Sequence, residues 1–207
     1  MSESGRRPRW PGADLPGKRL FYAVPLPPET GAEVAALVER VRAEGVPGGG
    51  RDVRWVRLDG LHLTVRFLGP TLDDSLEPAM DALRTAAAGR SAFDLSIGGA
   101  GVFPPVGRPR ALWLGLRAGE EELVGLAASV DAALTDAGWV LDARPLRAHL
   151  TLARSDGVPA GAAIGARLAD AAAELDLRFR AERIGLYESV TGGGPARYEP
   201  LAMADLA

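Results

Sequence analysis

Apolar residues recur along this chain at two spacings, every second residue and every third or fourth, and the alternation between them predicts its elements. Residues 1–17 are rich in Ser, Gly, Arg and Pro and predict a disordered leader ahead of a single domain over 18–207. Arg19–Leu26 reads as a strand ended by Pro27 and Pro28. Val34, Leu37, Val38 and Val41 then fall at helical spacing over residues 28–44, closed by Gly45 and the run Gly48–Gly50. Val53–Val56 predicts a short strand, and residues 61–68 a longer one stopped by Gly69 and Pro70. Asp73, Asp74 and Ser75 offer an N-cap to a helix over about 75–89, with Leu76, Met80 and Leu83 on its buried stripe. Phe93–Phe103 and Ala111–Leu116 read as strands on either side of a proline-rich loop.

The second half repeats this grammar. A helix over 120–137 buries Leu123, Leu126, Val130 and Leu134, and strands follow at Trp139–Leu141 and Ala148–Arg154. A helix over about 160–174, a strand over Leu177–Val190, a turn at Gly192–Pro195 and a last strand over Arg197–Leu206 complete the chain. Strands and helices interleaved twice are best satisfied by two sheet-and-helix lobes facing each other across a cleft.

Two of the predicted strands carry the same text. Leu61-His62-Leu63-Thr64-Val65 is written again eighty-seven residues later as Ala148-His149-Leu150-Thr151-Leu152, and these are the only two histidines present, in a chain with seven threonines. In a strand, residues i and i+2 share a face, so His62 with Thr64 and His149 with Thr151 point one way, while Leu63, Val65, Leu150 and Leu152 point into the core. Either copy alone reads as a solvated sheet face. Together they hold the whole histidine supply and read as one site, with the histidines facing each other.

Composition narrows the chemistry. The absence of cysteine removes disulfides, a thiolate nucleophile and cysteine-held zinc, and no HxH or HxxxH spacing marks a histidine metal site. A net charge of −3 and a pI of about 5.5 argue against coating of long nucleic acid, but admit a small phosphate ligand or the end of a polynucleotide. Lys18 is the sole lysine, so the positive charge is almost all arginine, whose forked donors suit phosphate. No apolar run approaches the length of a membrane span, about eighteen residues, and a cytoplasmic protein is expected. At this length roughly 70% of the unfolded surface can be buried, so folding requires no metal or disulfide.

Imidazole titrates near pH ~6.5, so at neutral pH one histidine can carry a proton that the other lacks. An acid and a base on opposite sides of a substrate are what in-line attack of water on phosphorus requires, each worth roughly 10²- to 10⁴-fold in rate. Threonine hydroxyls on the same faces would donate to the non-bridging phosphate oxygens, and this chemistry calls for no metal and no cofactor. By strand parity Arg66, four residues past His62, shares the face of His62 and Thr64. Arg154, five past His149, does not, and would act from a strand end or a rim. Phe67 is the counterpart of Arg154 and could stack a nucleobase.

The chain resembles the two-histidine phosphoesterase superfamily and, within it, the RNA 2′,3′-cyclic phosphodiesterases, historically called 2′-5′ RNA ligases. The likeness runs in order from about residue 18 to the end through Arg19–Val24, Val53–Val56, His62–Gly69, Gly101–Pro104, Leu112–Gly115, His149–Arg154, Leu186–Ser189 and Arg197–Glu199. One departure is Ala148, where the family usually has proline before the second histidine. The resemblance implies an α+β, bilobal, pseudo-twofold fold, with two mainly antiparallel sheets and outer helices around a central cleft. It implies metal-free hydrolysis of RNA 2′,3′-cyclic phosphate ends to 2′-phosphomonoesters; RNA ends or small nucleotides bearing a cyclic phosphate are the expected partners of a monomer without membrane or obligate protein partner. In the family's pattern His62 protonates the departing 3′ oxygen, His149 activates water, Thr64 and Thr151 hold the phosphate, and Arg154 and Phe67 bind substrate. Two alternatives stay open: another cyclic phosphate or a 2′-5′ linkage with reversible ligation, and a non-catalytic module that binds RNA ends.

Overall fold

The computed structural model describes residues 16–45, 53–192 and 195–207, so most of the expected leader, the Gly48–Gly50 run and part of the Gly192–Pro195 turn lie outside the described residues. Those described form β1 (Lys18–Pro25), α1 (Pro28–Ala43), β2 (Arg54–Trp55), β3 (His62–Thr71), α2 (Leu76–Ala87), β4 (Phe93–Phe103) and β5 (Ala111–Ala118). Then come α3 (Glu120–Asp136), β6 (Leu150–Arg154), α4 (Pro159–Ala171), β7 (Leu177–Ala181), β8 (Arg183–Val190) and β9 (Arg197–Asp205). The strands make two sheets, ordered β3-β1-β8-β9 and β2-β6-β5-β4-β7, with every pairing antiparallel.

The two orders are one order written twice. β3, β1, β8 and β9 correspond to β6, β5, β4 and β7, and β2 is an extra strand outside β6. α2 and α3 pack against the first sheet, and α1 and α4 against the second. Each sheet thus covers one face with helices and leaves the other for the cleft, the arrangement expected of a pseudo-twofold α+β fold.

The helices form as their apolar spacing demands. α1 buries Val34, Leu37, Val38 and Val41, and α3 buries Leu123, Leu126, Val130 and Leu134, each such side chain contributing roughly 1.5–3 kcal/mol. α2 corrects its expectation: the buried face is Ala79, Ala82, Leu83, Ala86 and Ala87, with Leu76 and Met80 half-buried at its edges, and this small-residue face brings it close to α3. No side chain caps it, because Asp73–Ser75 is a 3-10 turn in which the Ser75 hydroxyl donates to Asp74 at 3.1 Å. Tyr22, wholly buried on the helix side of β1, ties the layers by donating its hydroxyl to the Ala79 carbonyl at 2.8 Å.

Three further strand expectations are corrected. β3 runs through Gly69 and Pro70 to Thr71, paired with Leu20, Arg19 and Lys18; it is an edge strand, where proline costs no ladder bond. Trp139–Leu141 is irregular and Val140 is 98% exposed. The Trp139 amide donates instead to the Leu134 carbonyl at 2.9 Å, closing α3 over Gly138, whose φ of +91° suits only glycine. The stretch expected as one strand over Leu177–Val190 changes sheet at Glu182. β7 joins β4 and β8 joins β1, and the Leu206 amide holds the crossing by donating to the Glu182 carbonyl at 2.8 Å. No helix among the described residues is long and apolar enough to cross a membrane.

Candidate active site

Both motif strands are bulged at the same place. Ala23 pairs with Thr64 but Tyr22 with Arg66, so Val65 is an extra residue; Trp113 pairs with Thr151 but Leu112 with Ala153, so Leu152 is its counterpart. A bulge resets the alternation of faces. Val65 and Arg66 therefore point the same way, toward the helix layer and away from the cleft, where Arg66 grips Asp131 of α3 with two nitrogens and donates to the Asp142 carbonyl at 3.2 Å. Arg66 is thus not on the face of His62 and Thr64, contrary to simple parity; Phe67 is. In the second strand Leu152 and Ala153 are both buried and Arg154 returns to the face of Thr151, again contrary to simple parity.

Each histidine is fixed by the backbone of its own approach. His62 Nδ1 lies 2.7 Å from the Gly60 carbonyl and His149 Nδ1 2.6 Å from the Arg147 carbonyl, two residues upstream in both cases. A carbonyl can only accept, so both Nδ1 atoms carry hydrogen and Nε2 is left for the cleft. Aromatic rings set the imidazole planes. Around His62 stand Phe21 at 4.8 Å and Tyr198 edge-on at 4.7 Å, with Tyr187 at 6.4 Å; beside His149 stand Phe103 edge-on at 5.1 Å and Trp113 at 6.2 Å.

Two glycines seat these rings. A methyl on Gly185 would meet the Tyr187 ring at 2.6 Å, and one on Gly101 the Trp113 ring at 2.3 Å. Gly185 pairs with Ala23 as Gly101 pairs with Trp113, so they are equivalent positions of the two sheets.

Burial lowers the pKa of both histidines below the ordinary imidazole value, partly offset by the hydrogen bond at Nδ1. The remaining influences differ: the charge of His149 depresses His62, and the charge of Arg154 depresses His149. Each imidazole therefore senses a cation across or along the cleft, and the pair resists double protonation. Arg154 also acts on the Tyr198 hydroxyl of the opposite sheet, opposing the rise that burial causes. Thr64 and Thr151 are half-buried, and neither hydroxyl has a hydrogen-bond partner among the described residues.

Of the seven residues singled out from the sequence, His62, Thr64, Phe67, His149, Thr151 and Arg154 lie on the cleft faces and Arg66 does not. Phe67 is 63% exposed, its ring 5.8 Å from Phe21. The aromatic frame of Phe21, Phe103, Trp113, Tyr187 and Tyr198 escapes sequence reasoning, because in apolar strands an aromatic reads as core. Its legible trace is the glycine two residues before Phe103 and Tyr187.

Two sheets that present mirrored His-x-Thr strands across a cleft are the architecture of the two-histidine phosphoesterases. The family model for the 2′-5′ RNA ligase superfamily matches residues 26–193, and the chain belongs to that superfamily. It is 31% identical over 192 residues to the RNA 2′,3′-cyclic phosphodiesterase of Escherichia coli, covering 89% of this chain and 94% of that one. Its match to the Geobacillus stearothermophilus RNA 2′,3′-cyclic phosphodiesterase is 34% identical over 100 residues, 48% of this chain, and spans 32% of that protein's length. The crystal structure of E. coli LigT complexed with 3′-AMP superposes with a TM-score of 0.66 at 28% identity, covering 91% of this chain and 98% of that chain.

Proposed function

We propose that this chain is a phosphodiesterase that opens the 2′,3′-cyclic phosphate at RNA ends, leaving a 2′-phosphomonoester and a free 3′ hydroxyl, by acid-base catalysis between His62 and His149. The observation that carries this reading is the matched engagement of both Nδ1 atoms by upstream carbonyls, which leaves two Nε2 atoms, one at the first residue of β3 and one just ahead of β6, for one cleft. Water enters opposite the 3′ oxygen; His149 Nε2 takes its proton as the new P–O bond forms, and His62 Nε2–H delivers a proton to the 3′ oxygen as the old bond breaks. The guanidinium of Arg154 beside His149 favours the neutral imidazole, which suits the base. Thr64 and Thr151 donate to the non-bridging oxygens as their charge grows, Phe67 supplies a face for the terminal base, and Arg154 contacts the substrate's backbone. Every proton in this scheme is moved by these side chains, and no metal has a role in it.

The test is a short RNA ending in a 2′,3′-cyclic phosphate, incubated with EDTA and resolved for 2′- and 3′-phosphate products, beside His149→Ala. A 2′-phosphate product made by the wild type alone is expected. Turnover abolished by chelator and restored by added metal would overturn metal-free catalysis, and tight binding without turnover would favour a binding module.

A further inference from the structure

The pseudo-twofold relation between the sheets holds for the backbone but fails for the chemistry of one row of side chains. In the first sheet the row one step beyond Thr64 is Tyr187, Phe21 and Phe67, directly paired across β8, β1 and β3. In the second sheet the same row is Phe103, Ala111 and Arg154, across β4, β5 and β6, and it continues to Arg54 on β2, the strand with no counterpart. One wall is aromatic; the other ends in two arginines.

Arg54 and Arg154 are direct partners across the β2–β6 ladder, so their side chains leave the same face of the sheet, the cleft face. Like charges so placed oppose folding unless an anion offsets them. One carboxylate does so in part. Asp156, in the turn after β6 with φ +46°, accepts from one terminal nitrogen of Arg54. With no hydrogen-bond or ion-pair partner for the Arg154 side chain among the described residues, two guanidiniums against one carboxylate leave a net positive pair. It stands two strand positions and a bulge beyond Thr151, roughly 7 Å along the strand. That displacement is of the order of one nucleotide repeat of an extended chain.

We infer that Arg54 and Arg154 form a second phosphate subsite, for the internucleotide phosphodiester adjoining the reacting terminal nucleotide, and that the cleft thereby selects ends of RNA chains over single cyclic nucleotides. This rests on the function proposed above. The aromatic wall takes the terminal base and the arginine wall takes the backbone running away from it. The fork of Arg54, held at one nitrogen by Asp156, keeps its remaining donors for phosphate oxygens.

The experiment compares kcat/KM for a 2′,3′-cyclic mononucleotide and for a trinucleotide with the same terminal residue, in wild type, Arg54→Gln and Arg54→Glu, across a series of salt concentrations. The ratio of the two values does not depend on how much of each variant is folded. The wild type is expected to prefer the trinucleotide; Arg54→Gln to lower that preference about tenfold and Arg54→Glu further; and the log–log salt slope for the trinucleotide to become shallower by about 0.7 in Arg54→Gln. A wild type that turns over the mononucleotide equally well, or a ratio unchanged in both variants, overturns the subsite while leaving the proposed reaction standing. A wild type inactive on both substrates overturns the reaction and the subsite together.

Discussion

Val65 and Leu152 are the same residue of two copies of one strand: each is the extra residue of a bulge three places after its histidine, and each is buried. The bulges decide which side chains join the site. They turn Phe67 and Arg154, both five residues past a histidine, into the cleft, and they send Arg66 away from it to α3. Without the bulge Arg66, and not Phe67, would line the first wall, and Arg154 would leave the second.

His62→Ala or His149→Ala is expected to lower kcat by at least about 10²-fold, since each removes a proton-transfer partner. Thermal unfolding of both proteins should remain cooperative, because the imidazoles line a cleft and fill no core position. Rates on a cyclic-phosphate RNA settle the matter: wild-type-like turnover in either variant would remove the acid-base mechanism.

The free cleft predicts a displaced pH profile. Both imidazoles titrate below the ordinary value near 6.5, burial being the main cause, and the active form carries one proton between them. That form is most abundant between two depressed pKa values, so kcat/KM should climb as pH falls from 8, peak below about 6.5 and decline beyond. Bound phosphodiester favours the protonated imidazole, so the kcat profile should lie to the alkaline side of it. Arg154→Gln removes a cation that depresses His149 and should move one limb of kcat/KM upward. A kcat/KM maximum well above pH 7 would contradict this ordering.

The halves of the fold and the identity of the site are legible in the sequence because periodicity and repetition are local. A duplicated His-x-Thr on two apolar runs needs no tertiary information to be seen. What escapes is decided at a distance. The bulges follow from how β3 lies against β1 and β6 against β5, so parity counted along one strand misplaces Arg66 and Arg154. The sheet change at Glu182 escapes because the residues of β7 and β8 are equally good strand formers, and only their partners differ. Trp139–Leu141 fails as a strand because the amide of Trp139 is taken by the end of α3.

Thr64→Val and Thr151→Val should each lower kcat by about 10²-fold with little change in stability, the usual loss for one donor to a developing oxyanion. Neither hydroxyl has a protein partner among the described residues to leave unsatisfied. The corresponding serine variants keep the donor and should recover most of the rate. Equal loss in the serine and valine variants would place the threonines in packing instead.

Arg66→Met tests the arginine turned away from the cleft. Its side chain is 13% exposed and that of Asp131 31%, so the pair is shielded without being fully buried, and removing the cation strands a carboxylate. A loss of about 2 kcal/mol in unfolding free energy is expected, between the values for surface and buried pairs. Arg66→Met with Asp131→Leu should regain part of it. The pH optimum should stay where it is in wild type, since Arg66 faces away from the cleft; an optimum displaced as in Arg154→Gln would put Arg66 back among the site residues.

Gly101→Ala probes whether the Trp113 ring must lie flat on its neighbour strand. An added Cβ would sit 2.3 Å from Cζ2 and 2.5 Å from Cη2 of the indole, so either the ring moves or β4 does. Such overpacking costs typically about 1–3 kcal/mol. Because Trp113 borders His149 and lies directly across from Thr151, its displacement should also lower kcat beyond what the stability loss explains. Gly192→Ala, where a methyl would meet nothing within 4 Å, is the control. Denaturant unfolding and kcat measured on both variants separate the outcomes: a stability loss with kcat intact would mean the tryptophan supports only the fold, whereas a joint loss ties the glycine to the geometry of the second histidine.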